Sequence, residues 1–396
     1  MTVAHLAGLK VIDMGSALAA PYAATMLGDL GAEVIKIEKP RRGDMIRFTD
    51  DYIGGESGYF IGINRGKESV TVDVRKPEGQ EIIRKLVADA DVLVENFRSH
   101  RMGSWGLGYS EVSAINPRLI YCSVSAFGDA SGFEETGGND IVAQGYSGLM
   151  DITGEEDAGP SRTGSPVVDV SGGMLSTIGI LAALLKRAQS GVGEHIHVSL
   201  LEGAYALMPN YIASVLNGKP DFRRLGSGHP QLAPYQAFEA GDGKYLVIGA
   251  FHRGSWQALC AAIGRPDLLA DPRFTENKDR VINRKALEAI LQGELRKRDR
   301  DAWLAIFVAH EVIASPVLSI AESLETFGAA IPGLIVDNAH SSLGQVKMLR
   351  PPIRFSSAQH QPTRAAPILS QDTTRRLSEL GLSAEALADL SERRVI

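Results

Sequence analysis

The sequence predicts an α/β protein: a Rossmann-like, doubly wound parallel sheet in a large domain, joined to a smaller α+β domain. Two observations carry this. Val/Ile-rich runs alternate with helical stretches of about ten residues between residues 9 and 200, the order that builds a parallel sheet. The character then shifts near residue 218, where Asn217-Gly218-Lys219-Pro220 and Gly226-Ser227-Gly228-His229-Pro230 make a loop-rich linker. The expected division is a large domain over 1–217, a small domain over 225–325 and a segment over 330–396 that returns to the large domain.

The elements follow in chain order. Residues 9–14 are a short β-type run, residues 21–30 have helical spacing, and residues 32–37 read as a buried strand. Residues 69–74 form a third strand and 91–97 a fourth. Between them, 77–90 is an amphipathic helix with Pro77 at its start, where a missing N–H is harmless. Residues 119–125 are a fifth strand. Small residues on all sides of 174–187 predict a buried helix, and 195–200 alternates like a sixth strand. Beyond the linker, the Asp242-Gly243 turn precedes a strand at 245–250. Residues 254–312 are mostly helical and 316–327 give a short connection and helix. Residues 333–355 are strand-like up to Pro351-Pro352, and 373–380 is a helix ending at Gly381.

Composition bounds the function. The chain has 396 residues, 44% hydrophobic and 22% charged, as a globular protein with substantial cores requires. A net charge of −6 lacks the basic excess that neutralises phosphates, so no nucleic-acid partner is expected. Cys122 and Cys260 are the only cysteines, so neither a disulfide framework nor a zinc cluster is implied. The first eight residues do not read as a signal peptide, and the apolar stretch at 174–185 is too short and interrupted to span a bilayer. A cytoplasmic protein without a membrane partner is the simplest expectation.

Several chemistries fall away. After the first strand comes Gly15-Ser16-Ala17-Leu18-Ala19-Ala20-Pro21, not the glycine pattern that brings backbone to a dinucleotide pyrophosphate. There is no Walker-A pattern and no Gly-x-Ser-x-Gly elbow. His195 and His197 share a strand face, but a neighbouring strand explains them as well as a metal does, and no metal is expected.

Three clusters remain. In Gly164-Ser165-Pro166-Val167-Val168-Asp169, a carboxylate sits on a turn just before a helix, in the positive end of its dipole. That suits a nucleophile and equally a helix cap. Gly172 and Gly173 either open the backbone to a ligand and offer N–H groups to an oxyanion, or serve close helix packing. Glu95-Asn96-Phe97-Arg98 with Arg101, and Glu38-Lys39-Pro40-Arg41-Arg42-Gly43-Asp44, both follow strands. Basic residues at strand ends, where open α/β sheets bind ligands, point to an anionic, nucleotide-like ligand.

These residues, together with others along nearly the whole chain, resemble the class III coenzyme A transferases, the group of the formyl-CoA and carnitine CoA-transferases. The resemblance runs through Gly31-Ala32-Glu33-Val34-Ile35-Lys36-Ile37-Glu38, Asn64-Arg65-Gly66-Lys67, Glu95-Asn96-Phe97-Arg98, Gly106-Leu107-Gly108-Tyr109, Ala233-Pro234-Tyr235 and Asp271-Pro272-Arg273-Phe274. It implies an enzyme that moves CoA from a short acyl- or dicarboxylyl-CoA to a carboxylic acid. Asp169 would be the nucleophile, forming an aspartyl anhydride and then an aspartyl-CoA thioester. The CoA site carries over onto Lys39, Val72, Arg75, Asn96 and Phe97. A further basic position falls on Ser104, which leaves that duty to Arg98 or Arg101. Leu18, Asn139, Asp140 and Gln144 are the candidates for the acyl pocket or for orienting the attacking acid. CoA is a substrate here, and no cofactor is expected.

The resemblance also implies an interlocked homodimer. Oxalate-specific members carry Gln where this chain has Leu18, which weakens an oxalate or formyl assignment. The related α-methylacyl-CoA racemases place a His where Asn139 stands in Gly138-Asn139-Asp140, and Asn cannot act as a base. A racemase, or an inactive CoA-binding homologue, is the alternative. Arg47, His229 and Arg253 are candidates for receiving a second carboxylate, and each also fits a surface role.

Overall fold

The structure, a computed structural model, describes residues 4–396 except 99, 129–131, 134–135, 219 and 357–363. Lys219 of the linker therefore lies outside the described residues. The strands β1 (Lys10–Asp13), β2 (Glu33–Glu38), β3 (Glu68–Thr71), β4 (Val92–Glu95), β5 (Ile120–Ser125) and β6 (His195–Ser199) form one sheet in the order β3-β2-β1-β4-β5-β6. Every pair is parallel. Val11 lies opposite Val34 on one side and Val92 on the other. The strands are apolar on both faces because helices cover both, and Ile12, Val70, Leu93 and Tyr121 are buried with Ile83 of the Pro77–Ala88 helix. The doubly wound α/β fold is thus as the sequence predicts. Strand order reverses between β1 and β4, which opens a crevice at their carboxyl ends.

The long helix departs from expectation. It spans Val167–Ser190, so Asp169 lies inside its first turn rather than on a turn before it. Gly172 and Gly173 are interior helix residues. A Cβ on Gly172 would meet Leu200 Cδ2 at 2.7 Å, and one on Gly173 would meet the carbonyl oxygen of Ala19 at 2.8 Å. Their smallness lets this helix press against the Ala19–Asp29 helix, so the packing alternative holds. By length and composition the helix could cross a membrane. Here it lies on the sheet, where a Cβ on Gly179 would come within 3.2 Å of Ile196 on β6. Expected to be buried all round, it instead leaves Ile178 and Leu185 62% and 72% exposed.

Residues 333–396 belong to the same unit as the sheet. They cover its β3 edge: the Ser69 N–H donates to Asp372 Oδ2 (3.1 Å), the Asp372 N–H to the Ser69 carbonyl (3.0 Å) and the Asp73 N–H to the Val395 carbonyl (2.7 Å). An edge strand that would otherwise expose unpaired amides is closed in this way. The hairpin over 335–349 in this segment contributes Val346 and Met348 to a core with Ile46 and Phe60.

The second unit comprises residues 148–162 and 213–332. Residues 148–162 were expected in the large domain, and Arg224 is what ties them to the linker, donating to the Asp151 carbonyl (2.9 Å) and the Ala158 carbonyl (3.1 Å). The unit holds a three-stranded antiparallel sheet, β7 (Tyr235–Glu239), β8 (Tyr245–Gly249) and β9 (Ala314–Pro316), with helices between. Its core gathers Trp256, Phe274, Leu291 and Phe307, and the buried Arg280 donates to four carbonyls, those of Ala233, Phe274, Thr275 and Phe251. In the first unit, β10 (Ile335–His340) and β11 (Gly344–Leu349) pair antiparallel.

Candidate active site

The crevice at the switch point is a cleft of about 460 Å³. Ser16, Ala17 and Leu18 line it from the end of β1, Asn96, Phe97 and Arg98 from β4, and Ser125 to Gly128 from β5. Gly138, Asn139 and Asp169 complete the wall. Among the described lining residues Asp169 is the sole acid and Arg98 the sole cation.

Asp169 is half-buried, and among the described residues its carboxylate takes part in no hydrogen bond or ion pair. The helix dipole does not serve it as expected. Asp140 Oδ1 already accepts from the N–H groups of Val168 (2.9 Å) and Asp169 (3.1 Å), so the helix N-terminus is occupied by a different carboxylate. Burial, and then the charge of Asp140, push the Asp169 carboxyl up to about 7. Asp140 is in turn held by Gln144, whose Nε2 donates to Asp140 Oδ2 (2.5 Å) while its Oε1 accepts from the Thr163 N–H (3.0 Å). Asp140 and Gln144 are both buried and stand behind Asp169, whereas Leu18 and Asn139 line the cleft. Asn139 caps the Asp140–Ser147 helix, its Oδ1 accepting from the Val142 N–H at 3.3 Å.

The residues carried over for CoA follow three strands, β2, β3 and β4. Lys39 is exposed just past β2. Past β3, Val72 is buried in the core and Arg75 is exposed but clasped to Asp73, Nη2 to Oδ2 at 2.8 Å. Asn96 spends its amide on the neighbouring loop: Oδ1 accepts from the Ser16 N–H and Nδ2 donates to the Ser16 carbonyl, both at 2.8 Å. That cross-tie bridges the switch point. Phe97 stands edge-on to Trp105, and its N–H donates to Glu95 Oε2 at 2.8 Å. The guanidinium of Arg98 lies over Gly137, where a Cβ would come within 2.9 Å of Nη2. Arg101 opens the short Arg101–Ser104 helix and is exposed, and Ser104 Oγ donates to its carbonyl.

Other candidates have structural partners. Arg47 is not available for a substrate carboxylate: Nε and Nη2 both reach Glu38 at 2.7 Å, and its guanidinium covers the Phe60 ring at 3.6 Å. His229 and Arg253 lie in the second unit. His195 Nε2 bonds Ser123 Oγ (2.9 Å) on the neighbouring strand, and its ring stacks on Tyr109. Sequence reasoning missed Tyr59. It is half-buried, and burial followed by the charges of Asp169, Asp140 and Asp44 pushes its phenol up, which puts it in the field of the cleft's acid. Nothing local in Gly58-Tyr59-Phe60 announces this, because the acids come from distant segments.

An unpartnered carboxylate in a cleft at the carboxyl edge of a doubly wound sheet is a candidate for acid–base or nucleophilic chemistry. Residues 6–373 match the CoA-transferase family III. A succinyl-CoA:glutarate CoA-transferase of Mus musculus is 35% identical over 376 residues, 95% of this chain and 86% of that protein. An acetyl-CoA:oxalate CoA-transferase of Acetobacter aceti is 38% identical over 351 residues, 88% of each. Among solved structures, a CAIB/BAIF family protein from Brucella suis superposes with a TM-score of 0.85 at 36% identity, covering 95% of this chain and 99% of that one. The chain is an enzyme and belongs to the CoA-transferase family III.

Proposed function

We propose that this enzyme moves CoA from a short acyl- or dicarboxylyl-CoA to a dicarboxylic acid through covalent intermediates on Asp169. The observation that carries the reading is the position of Asp169: the cleft's only described acid, half-buried, and free of hydrogen bonds that would blunt it. The acceptor class rests on the relatives, whose names specify glutarate, oxalate and mesaconate.

The chemistry balances without a cofactor. The Asp169 carboxylate attacks the donor thioester carbonyl, the C–S bond breaks, and CoA leaves as thiolate. The thiolate attacks the aspartyl carbonyl of the anhydride and releases the donor acid, leaving aspartyl-CoA. The acceptor carboxylate attacks that thioester and expels the thiolate again. The thiolate then takes the new acyl group and frees Asp169. Each intermediate is about as activated as the thioester, so no step falls into a deep well. The carried-over positions past β2, β3 and β4 hold the CoA, with Arg101 or Arg98 as the further cation. Asp140, held by Gln144, positions the first helical turn that carries Asp169.

The enzyme works as a homodimer in this reading. The exposed Ile178 and Leu185 on one side of the Val167–Ser190 helix are the kind of surface a partner covers. Buried, free Cys122 and Cys260 suit a reducing cytoplasm. Asn139 acts as a helix cap and supplies no base, which disfavours a racemase.

The test is a panel of succinyl-CoA and acetyl-CoA against glutarate, oxalate and mesaconate, with the new acyl-CoA measured by chromatography. Transfer to at least one dicarboxylate is expected. Exchange of the α-proton of a 2-methylacyl-CoA with solvent, without transfer, would establish the racemase instead. CoA binding with neither activity would establish an inactive homologue.

A further inference from the structure

Behind the cleft wall lies a cluster of charges with almost no access to water. Asp13, Lys36 and Lys67 are completely buried, and Asp44 is 5% exposed. Lys36 Nζ sits 2.9 Å from Asp44 Oδ2 and 3.7 Å from Asp13 Oδ2, and Lys67 Nζ sits 2.7 Å from Asp13 Oδ2. Burial works against a charged Lys36, but Asp13 and Asp44 outweigh it and hold the ammonium. Buried ion pairs add little net stability compared with apolar residues of the same shape, so stability does not account for this arrangement.

Its contacts do. The loop after β1 is tied at Gly15, Ser16 and Ala17. Gly15 N–H donates to Asp13 Oδ1 (2.9 Å), and the Gly15 carbonyl accepts from Lys36 Nζ (2.9 Å). Ser16 Oγ donates to Asp44 Oδ1 (2.9 Å), and the Ala17 N–H donates to the same oxygen (3.1 Å). Lys67 Nζ also donates to the Pro21 carbonyl (2.7 Å), inside the first turn of the Ala19–Asp29 helix that the loop enters. Ala17 is held at φ 62°, a left-handed conformation that a residue with a Cβ adopts only when its surroundings impose it. Ser16, Ala17 and Leu18 face the same cleft as Asp169.

We propose that Lys36 and Asp44, backed by Asp13 and Lys67, are positioning residues for transfer: they hold the strained Ser16–Leu18 wall in the geometry against which Asp169 and the thioester meet. This rests on the CoA-transfer reading of the cleft. The cluster never touches substrate and acts through the backbone of the loop and the Ser16 hydroxyl.

The test separates stability from rate. In the double variant Lys36→Met with Asp44→Leu, no buried charge of that pair is left alone, but the Gly15 carbonyl and the Ala17 and Ile46 N–H groups lose their partners, so the enzyme stays folded with its melting temperature lowered by several degrees. The loop loses its ties to Lys36 and Asp44 and keeps those to Asp13 and Asn96, and kcat falls about 100-fold, the effect of displacing a reacting geometry by an ångström. KM for the acyl-CoA stays close to the parent value. Ser16→Ala, which removes one tether and cannot strand a charge, lowers kcat about tenfold. Should the double variant fail to fold, Ser16→Ala decides by the same criterion. Parent-like kcat in the folded variants would overturn the proposal. A parent enzyme that moves no CoA at all would instead overturn the transfer reading, before any variant is compared.

Discussion

Replacing Asp169 with alanine is expected to lower kcat by at least about 10⁴-fold, because no other group can accept the acyl unit and turnover through the covalent route stops. Neither the fold nor CoA binding should follow it down. The carboxylate has no described hydrogen-bond partner to leave stranded, and the helix that carries it is capped by Asp140 instead. Burial makes the ionised Asp169 costly to the native state, so the variant should melt no lower than the parent above neutral pH. Equilibrium binding of CoA and thermal melting, measured beside the transfer rate, check all three parts. A variant that loses rate only because it no longer binds CoA would place Asp169 in the binding site rather than in the chemistry.

The second large effect is on pH dependence. The reactive form of Asp169 is the carboxylate, and its carboxyl is raised from 3.8 to about 7, so kcat/KM should rise as the pH is increased through that value and then level off. Stability runs the other way. A carboxyl that binds its proton more tightly folded than unfolded makes the fold lose stability as the pH rises from 3.8 to about 7. Asp140→Asn removes the second cause of the shift and should move the acid limb down by about one unit. It should also cost about 1–3 kcal/mol. The new Nδ2 would face Gln144 Nε2, and Gln144 cannot turn to accept from it without presenting Nε2 to the Thr163 N–H. A rate–pH series on both enzymes, with denaturant melting, measures the two effects separately. An unmoved limb would mean that Asp140 does not act on Asp169 electrostatically.

Much of this was legible in the sequence because burial writes itself into apolar runs. All six strands of the parallel sheet appear as Val/Ile-rich segments, with ends off by up to three residues where the apolar run continues past the last ladder contact. The long helix was misplaced at its start because Gly172 and Gly173 resemble breakers. Their purpose is a close approach to Ala19 and Leu200, which only the folded chain supplies. At the site, Asp169 stood out once the whole-chain resemblance was recognised. Asp140 as the helix cap did not, since its partners lie 28 and 29 residues away. Lys36 lay in plain view inside Glu33-Val34-Ile35-Lys36-Ile37-Glu38, and a lysine within a strand buried on both faces is itself a signal of a paired interior charge. What it holds, the loop at Gly15 and the turn at Asp44, is set by tertiary contacts that no local pattern encodes.

The central claim is a covalent bond to Asp169, and trapping tests it most directly. The enzyme is incubated with an acyl-CoA donor and hydroxylamine, digested, and its peptides are weighed by mass spectrometry. A hydroxamate is expected on the peptide containing Asp169, formed only when acyl-CoA is present. An enzyme that completes transfer with every carboxylate unmodified, or with the hydroxamate on another acid, would contradict it.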